Sequence, residues 1–408
     1  MTTSQEAVAT ELPAFPMNRL SPFAMPGEWG ELRTAAPVAR AILPTGQEVW
    51  LITRYDLVRQ ILADPRLTAD RMHPNWPTHI VLPPGGRERG VAFTKALIGA
   101  DPPEHTDRRR MLDPEFAFRK VRDMAPGIQR FVDEHIDQIL SGPRPADLVP
   151  ALALPVPSMV ICELLGVAPS DRDFFHERVL LIVGRETEPD ARLRAIEELH
   201  GYLDRLVAQK EQQPADDLLS RLMEQSAQDP VFDHEMLTGI AIQMLLAGHG
   251  TIANMISVGV VTLLENPEQL AALQADPGLL DAAVEELLRY LSLVEAGFRV
   301  AAADIELGGV TIKAGDGLIA LSGAANRDEA AFPDPDTFDI RRVGRDHLAF
   351  GHGSHHCLGQ NLARLELRIV LGTLLRRIPG MRLAVPFGKL PFKDDTNLYR
   401  LYELPITW

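Results

Sequence analysis

Phe350 to Gly359, FGHGSHHCLG, is a glycine-punctuated loop that holds Cys357, one of only two cysteines in the chain. Gly351, Gly353 and Gly359 allow left-handed or tightly folded backbone around the sulfur, which a residue with a Cβ resists. Beyond the loop, from Gln360 to Arg377, apolar residues recur at Leu362, Leu365 and Ile369, with a second row at Leu367, Leu371 and Leu374. That spacing predicts a helix beginning just after the cysteine. A helix N-terminus carries partial positive charge and favours an ionised sulfur. A thiolate so placed can serve as a nucleophile, a redox thiol, a zinc ligand or a haem-iron ligand. Zinc asks for four ligands at short spacings; His352, His355 and His356 are at hand, but the second cysteine, Cys162, lies far upstream. No CxxC pair exists. Cys162 sits in the apolar run MVICELLGV and reads as a small core hydrophobe.

The loop fits the pattern F-G-x-G-x-(His or Arg)-x-C-x-G, and on it the chain resembles the bacterial soluble cytochrome P-450s, of actinobacterial type. The resemblance implies a mainly α fold with small β-sheets and haem b held between a long central helix and the cysteine loop. It implies that Cys357 is the axial ligand of the iron, a thiolate that pushes electron density onto the metal and favours O–O cleavage. Phe350, Gly353 and Gly359 then border the haem, and His355 takes the position that binds a propionate.

Composition agrees with that class. No Gly/Ser-rich linker, low-complexity run or repeat divides the 408 residues, so one domain over 1–408 is expected, with residues 1–20 as a flexible N-terminus. Apolar residues make up 46%, enough for a large core. The first residues, MTTSQEAVATELPAFP, lack the apolar stretch of a signal peptide. No run approaches the roughly 18 apolar residues that span a bilayer. Two distant cysteines argue for a reducing, cytoplasmic setting, and a formal charge of −15 argues against nucleic acid as a partner. A monomer is expected.

Upstream of the loop, residues 38 to 53 read as two strands around a Pro-Thr-Gly turn, followed by a short helix from Tyr55 to Leu62. Asp70 to Gly90, with four prolines and Gly85-Gly86, reads as a long loop. The resemblance makes it a lid over the substrate pocket. In DPPEHTDRRRML, His105 and Arg109 stand at i and i+4 on one helix face. The family's His-x-x-x-Arg clamps haem propionates at this place, and both residues match. Arg108 and Arg110 are expected to face elsewhere and to join a basic surface. Helical patterns continue over Met124–Leu140, Val156–Leu165, Asp171–Ile182 and Ala191–Lys210, the last two expected to roof the pocket.

Asp233 is a good N-cap for a helix from His234 to Asn266, apolar on nearly all faces and therefore expected to cross the core. It contains LLAGHGT. Glycine at Gly248 and Gly250 costs about 1 kcal/mol each relative to alanine, so each should have a reason. One reason is a close helix crossing. The family reading is a turn that opens over the haem, with Ala247, Gly248 and Thr251 on the haem face and Met244 against substrate. His249 points away and is expected to pack or to lie at the surface, not to act in catalysis. The family's acid before the threonine is replaced by Gly250, so water ordered by Thr251 must carry protons into the haem pocket.

Glu286 and Arg289, i and i+3 in AVEELLRY, match the family's E-x-x-R structural lock. After them, Val294 is expected to touch substrate and Arg299 to hold a propionate. Gly308-Gly309 between Ile305–Leu307 and Val310–Ile312 signals a hairpin. In the closing segment Asn397 is expected to reach the pocket. The resemblance implies a monooxygenase that inserts one atom of O2 into an apolar small molecule, by hydroxylation or epoxidation, in secondary metabolism or xenobiotic conversion. Electrons come from NAD(P)H through ferredoxin reductase and ferredoxin, docking at a basic patch that includes Arg110 and Arg364. Two rivals stand beside it. Gly250 and the ANMI sequence after the threonine suit a nitric oxide reductase of the same fold using NAD(P)H directly, with Arg71, Arg87 and Arg89 as candidate distal cations. A non-enzymatic haem gas-binding protein is the other.

Overall fold

The computed structural model describes residues 12–78, 92–183, 188–393 and 400–408. Its spine is the helix His234–Glu265. Asp233 caps it, accepting the Met236 N–H at 2.8 Å, and Pro267 follows the C-cap Asn266 and begins the next helix. Thirty-two residues rise roughly 48 Å. Because apolar side chains occur all round it, this helix needs partners on every side. It packs against Pro155–Leu165, Pro189–Gln212, Leu280–Leu291 and Gln360–Arg377. By length and composition it would cross a membrane, but its most apolar window is 67% buried within the fold. It is a core helix.

The strands of this region are, in chain order, β1 (Val38–Ile42), β2 (Glu48–Ile52), β3 (Leu67–Thr68), β4 (Ala146–Asp147), β5 (Gly297–Ala301), β6 (Ile305–Leu307), β7 (Val310–Ile312) and β8 (Gly317–Ala320), and a five-stranded sheet flanks the helical body in the order β1-β2-β8-β5-β3. β1 and β2 form the expected hairpin, turned by Gly46 at φ +80°. β8 pairs parallel to β2 and antiparallel to β5, and β3 closes the edge. β6 and β7 turn through Gly308 and Gly309 at φ +58° and +84°, a pair that favours glycine at both central positions. The helices expected after the first hairpin are present at Tyr55–Leu62, Ala125–Ser141, Pro155–Leu165, Arg172–Val183 and Pro189–Gln212.

The N-terminal segment departs from expectation. Phe15 and Arg19 are 3% and 2% exposed. Phe15 N–H donates to Ile42 O, and Ile42 N–H donates to Pro13 O. Arg19 Nη1 meets Glu295 Oε1 at 3.0 Å. Residues 13–19 are therefore a pinned part of the sheet edge, not a flexible arm; their anchors lie some 30 and 276 residues away in sequence, where local pattern does not reach.

The E-x-x-R pair is a lock, as expected. Arg289 Nε and Nη2 each donate to Glu286 at 2.8 Å, with both side chains at most 2% exposed. Arg289 Nη1 also donates to the carbonyls of Asn326 and Pro335, while Glu286 accepts the Asp339 N–H and Arg342. The pair thus gathers residues 326–342, which lead into the cysteine loop. A bidentate, fully satisfied geometry makes a buried ion pair tolerable.

Candidate functional site

The cysteine loop folds on itself through one backbone bond, Cys357 N–H to Phe350 O at 2.9 Å. Gly351 and Gly353 take φ +71° and +74°. A Cβ on Gly353 would lie 2.4 Å from Leu62 O, so this glycine is fixed both by conformation and by the close approach of the helix Tyr55–Leu62. Gly359 differs from expectation: its φ is −81°, and a Cβ there would meet nothing within 4 Å. Its backbone N–H points at the sulfur and draws the thiol pKa down, as do Arg109 and Arg364, while burial pushes it up and prevails. Such a thiol keeps its proton until a cation takes the proton's place.

Five basic residues converge beside this loop. His105 and Arg109 lie on the helix Glu104–Leu112, which the loop meets directly: Arg109 Nη1 donates to His356 O at 3.1 Å. The rings of His105 and His355 are 4.0 Å apart between centroids. Burial, then the fields of Arg299, His105, Arg109 and Arg71, push His355 down to about 2. Burial likewise lowers His105, Arg71 and Arg299, the last to about 10. Two acids lie near this cluster. Asp101 accepts the Thr68 hydroxyl and the Ala69 N–H, and Asp113 pairs with Arg109 at 2.8 Å. Arg299 donates to the Phe298 carbonyl at 2.7 Å. Three arginines and two neutral imidazole rings gathered here offer charge and hydrogen-bond donors to an anionic ligand, and the propionates of haem b fit them. Arg71 was expected, if anywhere, in a distal pocket; the structure places it with Arg299 and His355. It lies in a proline-rich stretch without periodicity, so no signal in the sequence pairs it with them.

On the central helix, the two glycines have different reasons. A Cβ on Gly248 would lie 2.6 Å from Ile161 Cδ1, so this glycine serves the crossing with Pro155–Leu165. A Cβ on Gly250 would meet nothing within 4 Å. The helix runs unbroken through this turn, and Thr251 Oγ1 donates to Ala247 O at 2.7 Å, where an opened turn was expected. Asn254 Nδ2 donates to Gly250 O at 2.7 Å. His249 is buried, as expected of a packing residue. Leu246 and Ala247 stay exposed in the middle of this otherwise buried helix, and Met244 is half-buried.

Val294 is 45% exposed between the buried Leu293 and Glu295. Ser292 at φ +41° ends the preceding helix, Glu295 is held by Arg19 and by Gly323 N–H, and the alternation turns Val294 outward. Asn397 lies outside the described residues, as do Arg87 and Arg89.

The expected basic patch is not where it was drawn. Arg108 is buried and donates to Lys95 O. Arg110 is exposed but pairs with Asp229 at 2.6 Å. Arg364 is 12% exposed and makes a two-pronged pair with Glu285, 2.6 and 3.0 Å. It is an internal residue.

The family model for cytochrome P450 matches residues 174–379. Over 408 residues the chain is 44% identical to the vitamin D3 dihydroxylase of Streptomyces griseolus, covering 100% of this chain and 99% of that protein. It superposes on cytochrome P450 MoxA of Nonomuraea recticatena with a TM-score of 0.91 and 45% identity, covering 98% of each chain. The mycinamicin VIII C21 methyl hydroxylase of Micromonospora griseorubida gives 0.88 and 40% identity, covering 97% of this chain and 100% of that one.

Proposed function

Because the chain belongs to the cytochrome P450 family, we propose that Cys357 is the ligand its haem iron takes and that the cationic cluster beside it holds the propionates. The protein is a haem-thiolate monooxygenase of small organic substrates, with haem b as cofactor and ferredoxin and ferredoxin reductase as electron donors. The observation that carries the site assignment is the convergence of His105, Arg109, His355, Arg299 and Arg71 next to the half-buried Cys357. When bound, the haem supplies activation of dioxygen, one atom entering the substrate and the other leaving as water.

The chain's own residues do the rest. Gly359 N–H, Arg109 and Arg364 favour the ionised sulfur once a cation balances it. Thr251 keeps a hydroxyl proton midway along the unbroken central helix, bonded to Ala247 O and able to rotate toward a water. The open space at Gly250 leaves room for that water where the family's acid would otherwise stand. Leu246, Ala247, Met244 and Val294 offer an apolar wall. By likeness to relatives named for vitamin D3 and for mycinamicin VIII, we take the substrate to be a bulky, largely apolar small molecule. One domain carries all of this.

The test is the ferrous–carbon monoxide spectrum of the holoprotein and of Cys357→Ala. The thiolate-type band should be present in the first and absent in the second; its survival in the variant overturns the ligand assignment. Arg299→Leu and His355→Leu should keep the band but release haem several-fold faster to a haem scavenger. Unchanged release would remove them from the propionate site.

A further inference from the structure

Arg364 stands within a continuous hydrogen-bonded chain along the cysteine loop. Glu285 accepts Arg364 Nε and Nη2 at 2.6 and 3.0 Å. Arg364 Nη1 donates to Gln360 Oε1 at 2.8 Å, which fixes the amide so that Gln360 Nε2 donates to His356 Nδ1 at 3.0 Å. The His356 carbonyl then accepts Arg109 Nη1 at 3.1 Å. These residues come from four places: the E-x-x-R helix, the helix after the loop, the loop itself and the His105 helix. Together they form a collar along the loop of Cys357.

The collar is satisfied and charged at its root. His347 Nδ1 accepts the Ala349 N–H at 3.3 Å, so its proton sits on Nε2 and is donated to Glu285 at 3.1 Å. Burial alone would raise Glu285, but the bonds from His347 and Arg364 hold it down at about 2. The Arg364 guanidinium lies 4.6 Å from the centre of the Phe350 ring, the residue whose carbonyl bonds Cys357 N–H. The Arg364 charge, held against the loop at Phe350, acts on the sulfur of that loop through a poorly screened medium, and Glu285 tempers that action from behind.

We propose that Glu285 and Arg364 are positioning residues that set the reduction potential of the iron bound at Cys357, Arg364 favouring the ferrous state and Glu285 restraining it. The inference rests on the Cys357 ligand assignment above. Adding an electron makes the haem–thiolate unit more negative, so a cation beside the sulfur stabilises the reduced form and an anion opposes it.

The experiment is spectroelectrochemical titration of substrate-free holoprotein for wild type, Arg364→Gln, Glu285→Gln, the double variant and Arg364→Lys. Arg364→Gln should shift the ferric/ferrous equilibrium toward ferric by roughly five- to tenfold. Glu285→Gln should shift it toward ferrous. The double variant should return most of the way to wild type, and Arg364→Lys should hold near wild type because it keeps the charge. Damage to the loop alone would move both single variants in the same direction and the double variant further; that pattern, or shifts under twofold, overturns the proposal. Wild-type protein without a thiolate-type carbon monoxide band would instead overturn the ligand assignment beneath it.

Discussion

The twin glycines of the central helix separate two effects that look identical in sequence. Alanine in place of Gly250 meets no atom within 4 Å, so it gains the full helix-propensity difference, about 1 kcal/mol. Alanine in place of Gly248 gains the same but sets its Cβ 2.6 Å from Ile161 Cδ1 and 3.1 Å from Cγ1. Overpacking of that kind costs about 1–3 kcal/mol, which leaves Gly248→Ala between neutral and about 2 kcal/mol destabilised. The two variants should therefore differ by about 1–3 kcal/mol in the same helix two residues apart. Ile161→Val removes the clashing methyl; alone it costs about 0.5–1.5 kcal/mol, but in the Gly248→Ala background it should cost nothing or stabilise. Urea midpoints at one fixed haem concentration read all five proteins, since bound haem itself adds to apparent stability. If Gly248→Ala stabilises as much as Gly250→Ala, or if Ile161→Val costs the same in both backgrounds, the close-crossing argument is wrong.

Thr251→Ala should raise the peroxide released per NAD(P)H consumed several-fold, and unchanged coupling would remove the hydroxyl from proton delivery. Arg289→Leu leaves the Glu286 carboxylate buried without its fork and should cost about 3–5 kcal/mol in the same urea assay; a loss under about 1 kcal/mol would refute the lock. His234, at the start of the central helix, bridges Glu211 at 2.9 Å and Asp204 at 3.0 Å on the neighbouring helix Pro189–Gln212, and those two bonds raise its pKa. Its contribution is full below the unfolded value of about 6.5 and fades as pH rises through the raised folded value. Thermal midpoints of wild type should thus fall more than those of His234→Asn across that alkaline side, and parallel curves would dismiss the bridge.

Features that rest on local chemistry were legible in the sequence: the Asp233 cap, the Gly308-Gly309 hairpin, the helix after Cys357 and the E-x-x-R pair. Those that depend on what arrives from far along the chain were not. Whether an arginine faces water is decided by its partner, and Arg364 finds Glu285 across 79 positions. The same holds for Arg108, whose acceptor is a backbone carbonyl, and for Arg71, whose neighbours His355 and Arg299 come from other elements. Gly248 and Gly250 carry equal propensity costs, and only the position of Ile161 tells them apart. The site itself was read through the resemblance for Cys357, His105, Arg109, Arg299 and His355, which the structure brings together. Glycine's conformational freedom misled at Gly359, where the backbone is ordinary and open space, not a left-handed bend, is what the missing Cβ provides.

If Val294 lines the substrate pocket as proposed, the buried bond between Arg19 and Glu295 gives residues near the start of the chain a say in what the enzyme accepts. Glu295 is the immediate neighbour of Val294, and burial raises its pKa even with Arg19 in place. Trimming up to Pro13 spares this contact, whereas a cut beyond Arg19 leaves a lone acid behind the wall and lets the Val294 segment settle differently. An N-terminal truncation would then register as altered product distribution before it registered as lost protein, and libraries aimed at new substrates gain a lever remote from the pocket.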